Sequence, residues 1–372
     1  MAFDIMGKNG DAKVYASLID DASKNQVQNM MDADISKFAQ VRIMPDAHFG
    51  KGALVGTTIQ LPDNFNDWRV SPNVVGVDIG CGMLTYKINQ HDVNLEQLDG
   101  LMHNVIPTGK QHYQAPTASG MAFLKKFNQQ GCVDLKDSAQ RLLETSLGSL
   151  GGGNHFVEVT RDENDDLWLT VHSGSRNLGI QIANAWQKVA DEHNPEENDF
   201  GYLTGDLLSG YLNDMNLVQE YAALNRQTML ETLVRELGLD VIDSFDSVHN
   251  FIDKQGTIRK GATDATLGKR LLIPLNMRDG SILAVGRGNA DWNNSAPHGA
   301  GRVLGRNVAK QTLDMTQYQA QMADVYTTSV NEKTLDEAPN AYKPKAAIIE
   351  NIGDTVEVET ILKPIFNYKA NN

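Results

Sequence analysis

The sequence predicts an α+β protein with mixed sheets, folded as one large domain over residues 1–372. Three observations carry this expectation. Segments with helical spacing of apolar residues alternate irregularly with short strand-like runs, without the repeat of a doubly wound sheet. No low-complexity linker or internal repeat divides the chain. Hydrophobic residues make up 41% and charged residues 22%, a mixture that builds a large core without disulfide staples.

In chain order, residues 14–32 show helical spacing, with Leu18, Ile19, Ala22 and Val27 on one side. The segment 41–60 alternates glycine-rich turns with a short strand at 54–59. Residues 74–77 read as a buried strand that stops at Asp78. A helix is predicted at 135–146, broken by SLGGGN at 149–154. Residues 156–160 and 167–172 read as strands joined by an acidic turn. Helices follow at 179–193 and across much of 206–237. Later strands are predicted at 271–274, 282–286, 346–350 and 355–362, and a helix at 303–324.

The formal charge of -14 argues against a general nucleic-acid binder, because phosphate contacts need positive charge. It leaves room for a small basic cleft on an acidic body. The acidic runs DENDD (162–166) and DEHNPEEND (191–199) read as solvated loops away from the histidine-bearing motifs. No run of about 18 apolar residues suggests a membrane span. The first residues lack the basic-then-apolar pattern of a signal peptide. The only cysteines, Cys81 and Cys132, make no disulfide framework, so the expected compartment is the cytoplasm. No amphipathic interaction segment stands out, and a monomer is expected.

Five of the nine histidines, His48, His155, His172, His249 and His298, sit in loops rich in glycine, proline, serine or asparagine. In VGVDIGCGM (75–83), Gly80 and Gly82 allow a tight turn that can aim Asp78 and Cys81 at one point. A carboxylate beside a thiolate suits a transition metal; the same residues also fit a turn with a buried free cysteine. In SLGGGNHFVEV (149–159), the glycines expose backbone N–H groups to phosphate, and strand alternation puts Asn154, Phe156 and Glu158 on one face and His155 on the other. A flexible turn is the plainer alternative. His172 in VHSGSRNLG (171–179) and His249 in SVHNFI (247–252) each end an apolar stretch. Asp78, Cys81, His155, His172 and His249 together exceed one tetrahedral site and fit a pair of ions sharing a thiolate.

His298 lies in SAPHGAGRVLGR (295–306), with Gly299 and Gly301 freeing the backbone behind it. Arg302 and Arg306 are spaced to share a helix face at a phosphate site. A histidine there can attack phosphorus, or can simply hydrogen-bond a phosphate. His48, in MPDAHFGKG (44–52), reads as a substrate-phosphate contact or a structural turn.

These segments, with NRQ (225–227), RKGAT (259–263) and DEAPNAYKP (336–344), resemble in order the motifs of the RtcB family of RNA ligases. The resemblance runs from about residue 41 to the C-terminus. It implies an RtcB-like domain whose sheets surround a metal and nucleotide cleft. The implied activity joins an RNA 3′-phosphate or 2′,3′-cyclic phosphate to a 5′-hydroxyl, using GTP and Mn2+. Asp78, Cys81, His155, His172 and His249 would then hold metal, with Cys81 bridging. His298 would become guanylylated. Asn154, Glu158, Asn276, Ser281, Gly299, Gly301 and Lys369 would line the nucleotide site, with Lys369 on the guanine. His48 and Arg176 would hold RNA phosphates. Some members of the family require an activating protein.

The chain departs from the family in LIPLNMRDGS (272–281), where Leu275, Asn276, Arg278 and Asp279 replace smaller residues and Ser281 matches. That bears on the base and ribose contacts. The chain is also short for the family, which fits a divergent branch working in RNA repair rather than tRNA splicing. The rival reading is a metal-dependent phosphodiesterase that opens cyclic-phosphate RNA ends without ligation. It would need neither His298 as a nucleophile nor Lys369.

Overall fold

A computed structural model describes residues 2–370. Its strands form two large sheets. The first has six strands in the order Phe3–Met6, Asp11–Val14, Gln40–His48, Val55–Gln60, Thr257–Lys260 and Asn250–Ile252. The second has seven, in the order Arg270–Asn276, Gly280–Gly286, Val356–Lys369, Phe156–Arg161, Leu167–Ser173, Gly82–Ile88 and Val241–Val248. A two-stranded ribbon pairs Ala262–Asp264 with Ser295–Pro297. Pairing is antiparallel except between Asp11–Val14 and Gln40–His48. The expected α+β class with mixed sheets is what the chain adopts.

Connections between the sheets matter most for the site. Val241–Val248 ends in the second sheet, and one residue later Asn250–Ile252 begins in the first, so His249 is the joint between them. In the second sheet Gly82 lies opposite both Ser173 and Val248, and Phe156 lies opposite His172. Antiparallel register therefore gathers the residues flanking these strands at one sheet end. The long strand Val356–Lys369 pairs first with Gly280–Gly286 and then with Phe156–Arg161, bringing Lys369 opposite Phe156 at that same end.

Leu167–Ser173 is buried along its whole length because helices cover the face away from the cleft. The chief of these is Gly205–Leu237, whose apolar stripe includes Leu208, Tyr211, Met215, Val218, Tyr221, Met229 and Leu233. It stops at Gly238, which takes the left-handed conformation (φ 63°) that a side chain disfavours. Arg176–His193 packs beside it, with Ile182, Ala183 and Trp186 in the same core. Among the described residues, no helix is long and apolar enough to cross a membrane.

Four sequence expectations are corrected. Val14 ends a strand opposite Ile43, and the helix expected from 14 starts only at Asp21, capped by Asp20, whose carboxylate accepts from the Ser23 amide at 2.7 Å. The apolar run expected as a strand at 74–77 is a short helix, Pro72–Val75, ended by Gly76 at φ 97°. The strand expected at 346–350 is the helix Lys345–Ile352, which follows Pro344 and buries Ile348 and Ile352 one turn apart. The helix expected at 303–324 is two helices, Arg306–Thr312 and Met315–Gln321, with Asp314 capping the second. Arg302 consequently precedes the helix instead of sharing its face with Arg306.

Candidate metal and nucleotide site

Residues of both sheets line a cleft of about 620 Å³. Asp78, Cys81, Asn154, Glu158, His172, His249, Asn276, His298, Gly299, Gly301, Lys369 and His48 all line it. Of the other candidates, His155 sits behind the wall against Asp78 and Cys81, and Ser281 sits behind Glu158.

All five expected metal ligands meet. Cys81 Sγ lies 3.4 Å from His155 Nε2 and 3.3 Å from His172 Nε2. His172 Nε2 lies 3.3 Å from His249 Nε2, and His155 Nε2 lies 3.1 Å from an Asp78 oxygen. The donors form two overlapping groups, Cys81 with His172 and His249, and Cys81 with Asp78 and His155. The Cys81 sulfur is common to both groups.

The proton inventory shows why cations fit here. His155 Nδ1 donates to the Leu150 carbonyl at 2.9 Å, and His172 Nδ1 to the Asn154 carbonyl at 3.2 Å. Carbonyls only accept, so Nδ1 is a protonated nitrogen in each ring and Nε2 is the atom turned to the cluster. Burial pushes His172 and His249 well below the ordinary imidazole value, which keeps both rings neutral. The Nε2 atoms, the sulfur and the carboxylate thus converge across little more than 3 Å. Burial, then the Asp78 charge, pushes the Cys81 thiol up. A thiolate at this place requires a cation beside it. The donor mixture of imidazole, thiolate and carboxylate suits a first-row divalent metal.

His298 follows the ribbon strand Ser295–Pro297 and stands next to His249, with ring centroids 4.9 Å apart. Asp46, fully buried, orients it. One Asp46 oxygen accepts from His298 Nδ1 at 2.7 Å, from the His298 amide at 3.1 Å and from the Gly299 amide at 3.2 Å. With Nδ1 occupied, Nε2 is the nitrogen left for chemistry. Sequence reasoning missed Asp46; its signal was only its place in MPDAHFGKG, two residues before the singled-out His48. His48 Nδ1 donates to the Asp46 carbonyl at 3.1 Å, and burial lowers its pKa to about 4. It therefore meets the cleft as a neutral ring with a lone pair on Nε2.

At the other end of the cleft, Glu158 is buried and accepts from Asn367 at 2.8 Å and Ser281 at 3.4 Å. Burial raises its pKa to about 7. Lys369 pairs with buried Glu337 at 2.5 Å, and Glu337 also receives Arg306 at 2.6 Å and Arg302 at 3.3 Å. Burial pushes the Glu337 carboxyl up, but Lys369, Arg306 and Arg302 outweigh it and hold it at about 2. The two arginines read as a phosphate site are thus already paired with acids 30 or more residues downstream. Arg176, expected at an RNA phosphate, does not line the cleft; it donates to Ser149 Oγ at 3.0 Å and the Gly109 carbonyl at 2.8 Å. Asn276 is turned into a closed loop with Asp279, to which it donates at 2.8 Å.

Residues 26–370 match the family model described as tRNA-splicing ligase RtcB. The chain belongs to the RtcB family. It is 30% identical to the RNA-splicing ligase RtcB of Escherichia coli K12, over 90% of each chain. It is 28% identical to RNA-splicing ligase RtcB2 of E. coli ATCC 25922, over 86% of this chain and 84% of that protein. The tRNA-splicing ligase RtcB of Aeropyrum pernix is 27% identical over 81% of each. The family membership expected from the motifs holds over residues 26–370, and several of the motif residues, Asp78, Cys81, Asn154, His172, His249 and His298 among them, line the cleft.

Proposed function

We propose that this chain is an RNA ligase that joins a 3′-phosphate or 2′,3′-cyclic phosphate end to a 5′-hydroxyl end, using GTP, a pair of Mn2+ ions and His298 as the nucleotide carrier. The observation that carries the proposal is the setting of His298. Its Nδ1 is fixed on a buried carboxylate, and its ring stands beside a doubled metal-ligand cluster in one cleft with Glu158 and Lys369. A hydrolase has no use for that combination. The relatives named as RNA ligases support the same reading.

Bound metal would neutralise phosphate charge and support in-line displacement at phosphorus. Asp78, Cys81, His155, His172 and His249 would hold it. His298 Nε2 forms a bond to the α-phosphorus of GTP as pyrophosphate leaves, and Asp46 stabilises the positive charge that develops on the ring. The RNA 3′-phosphate oxygen then takes the guanylyl group from His298, whose nitrogen keeps the released electron pair. The 5′-hydroxyl displaces GMP from the activated end and passes its proton to His48 Nε2, the acceptor this proposal assigns; His48 lining the cleft supports that role. Glu158 and Lys369 bracket the position for the base, a carboxylate for ring N–H groups and an ammonium for a carbonyl.

The test is joining of a labelled RNA ending in 3′-phosphate to a 5′-hydroxyl RNA, with GTP and Mn2+, read on a denaturing gel. A joined product that disappears on omission of either cofactor is expected. Opening of a cyclic phosphate with no joined product under any nucleotide would replace this proposal with the hydrolase reading.

A further inference from the structure

The long helix Gly205–Leu237 supplies no metal ligand, yet one dipeptide in it touches the backbone of three ligand-bearing segments. Asn225 is fully buried. Its side-chain oxygen accepts from the amides of Gly148 at 2.8 Å and Ser149 at 3.0 Å. Its amide group donates to the Ser149 carbonyl at 3.0 Å, the Ser173 hydroxyl at 3.1 Å and the Gly174 carbonyl at 3.2 Å. Ser173 in turn donates to the Leu150 carbonyl at 2.7 Å, the same oxygen that fixes His155 Nδ1. Arg226, also buried, donates through one nitrogen to the Gly80 carbonyl at 2.7 Å and the Ser173 carbonyl at 3.0 Å. Its other terminal nitrogen pairs with Asp246 at 3.0 Å, on the strand that ends just before His249.

We infer that Asn225 and Arg226 are positioning residues that set the spacing of the metal-ligand cluster; this rests on the metal reading of that cluster. Most of these bonds land close to a ligand: Gly80 beside Cys81, Ser173 and Gly174 just after His172, Asp246 three residues before His249; Gly148 and Ser149 begin the loop that leads to His155. Burying a guanidinium against carbonyls is costly, and a hydrophobic side chain would fill the helix face at less cost. The arrangement instead ties the Gly80 turn and the 148–150 loop to the strands that carry Ser173 and Asp246 by hydrogen bonds of fixed length. Groups that hydrogen-bond a ligand directly change metal affinity by about 10- to 100-fold when lost, and Asn225 and Arg226 hold the segments on which those ligands sit. The NRQ motif at 225–227 thereby gains a physical role that its sequence did not disclose.

The test uses the full chain and variants Arg226→Lys and Asn225→Asp, with Asn225→Leu as a harsher third. Arg226→Lys keeps the charge but cannot span Gly80, Ser173 and Asp246 together. Asn225→Asp keeps the acceptor and loses the donors. Binding of Mn2+ alone is measured by calorimetry, and the Co2+-loaded proteins are compared by visible absorption, which reports ligand geometry. Thermal unfolding of the metal-free proteins controls for general damage. The expected result is a variant that folds like wild type when metal-free, binds Mn2+ at least tenfold more weakly and gives an altered Co2+ spectrum. Folded Arg226→Lys and Asn225→Asp with wild-type affinity and spectrum would overturn the inference alone. Failure of wild type itself to bind Mn2+ or Co2+ would overturn the metal reading, and this inference with it.

Discussion

Replacing Asp46 isolates the orientation of His298 from the metal cluster. One Asp46 oxygen accepts three hydrogen bonds, while the other is buried without a partner. In Asp46→Asn the amide oxygen can take the occupied place, so the ring keeps its tautomer and loses the negative charge behind it. A charge-assisted bond is worth about 1.5–3 kcal/mol against about 0.5–1.5 for a neutral one. The difference, about 1–2 kcal/mol as the ring gains charge, slows nucleotide transfer to His298 by about 5- to 30-fold. Asp46→Ala removes the acceptor altogether. Two backbone N–H groups and Nδ1 are left unpaired, and the ring is free to turn or exchange tautomers. A further loss of similar size or more is expected, about 100- to 1000-fold in total. The assay is single-turnover transfer of label from α-phosphate-labelled GTP to protein, quenched in denaturant, with Mn2+ binding measured on the same samples. Unchanged Mn2+ affinity with graded rates, wild type above Asn above Ala, is the expected pattern. Transfer by a folded Asp46→Ala protein within twofold of wild type would refute the orienting role.

Three further outcomes follow from the same geometry. His298→Ala should lose ligation completely while still binding Mn2+, since the ring is outside both ligand groups; calorimetry beside the gel assay checks this. Cys81→Ala should bind Mn2+ at least tenfold more weakly and with fewer ions per chain, because the thiol belongs to both groups; equilibrium dialysis with metal analysis gives the ratio. Glu158→Gln should raise the melting temperature at neutral and higher pH. The folded pKa of about 7 lies above the unfolded value, so the contribution of Glu158 to stability is fully present below about pH 4.5 and is lost as pH rises through 7. The shift corresponds to about 3 kcal/mol at most, fully expressed above about pH 7. Melting curves of both proteins from pH 4 to 8 should converge at the acid end, and a constant offset across that range would contradict the assignment.

Much of the site was legible because its residues are concentrated in short, punctuated motifs, and each motif ends or begins a strand. Glycine, proline and histidine at strand ends mark a functional end of a sheet even when the pairing order is unknown. What the sequence concealed has physical causes. Asp46 acts through distance to a residue 252 positions away, which no local spacing reveals. Arg302 and Arg306 read as phosphate binders because their partners, Asp336 and Glu337, lie some 30 residues downstream. Residues 74–77 are too few for periodicity to distinguish strand from helix, and Pro72 settles it by starting the turn. Residues 346–349 are apolar in a row, but Pro344 presets the first turn and Ile348 and Ile352 bury one face. In both places an ordered apolar element was foreseen and its backbone geometry was not.

The central claim is that His298 carries the nucleotide, and the direct measurement is covalent labelling of the purified protein. The chain is incubated with Mn2+ and GTP labelled at the α-phosphate, denatured, and tested for bound label. The account predicts a label stable to alkali and released by acid, absent without Mn2+ and absent from His298→Ala. A wild-type protein shown to bind Mn2+ that takes no label from GTP, or a His298→Ala protein that labels like wild type, would contradict it.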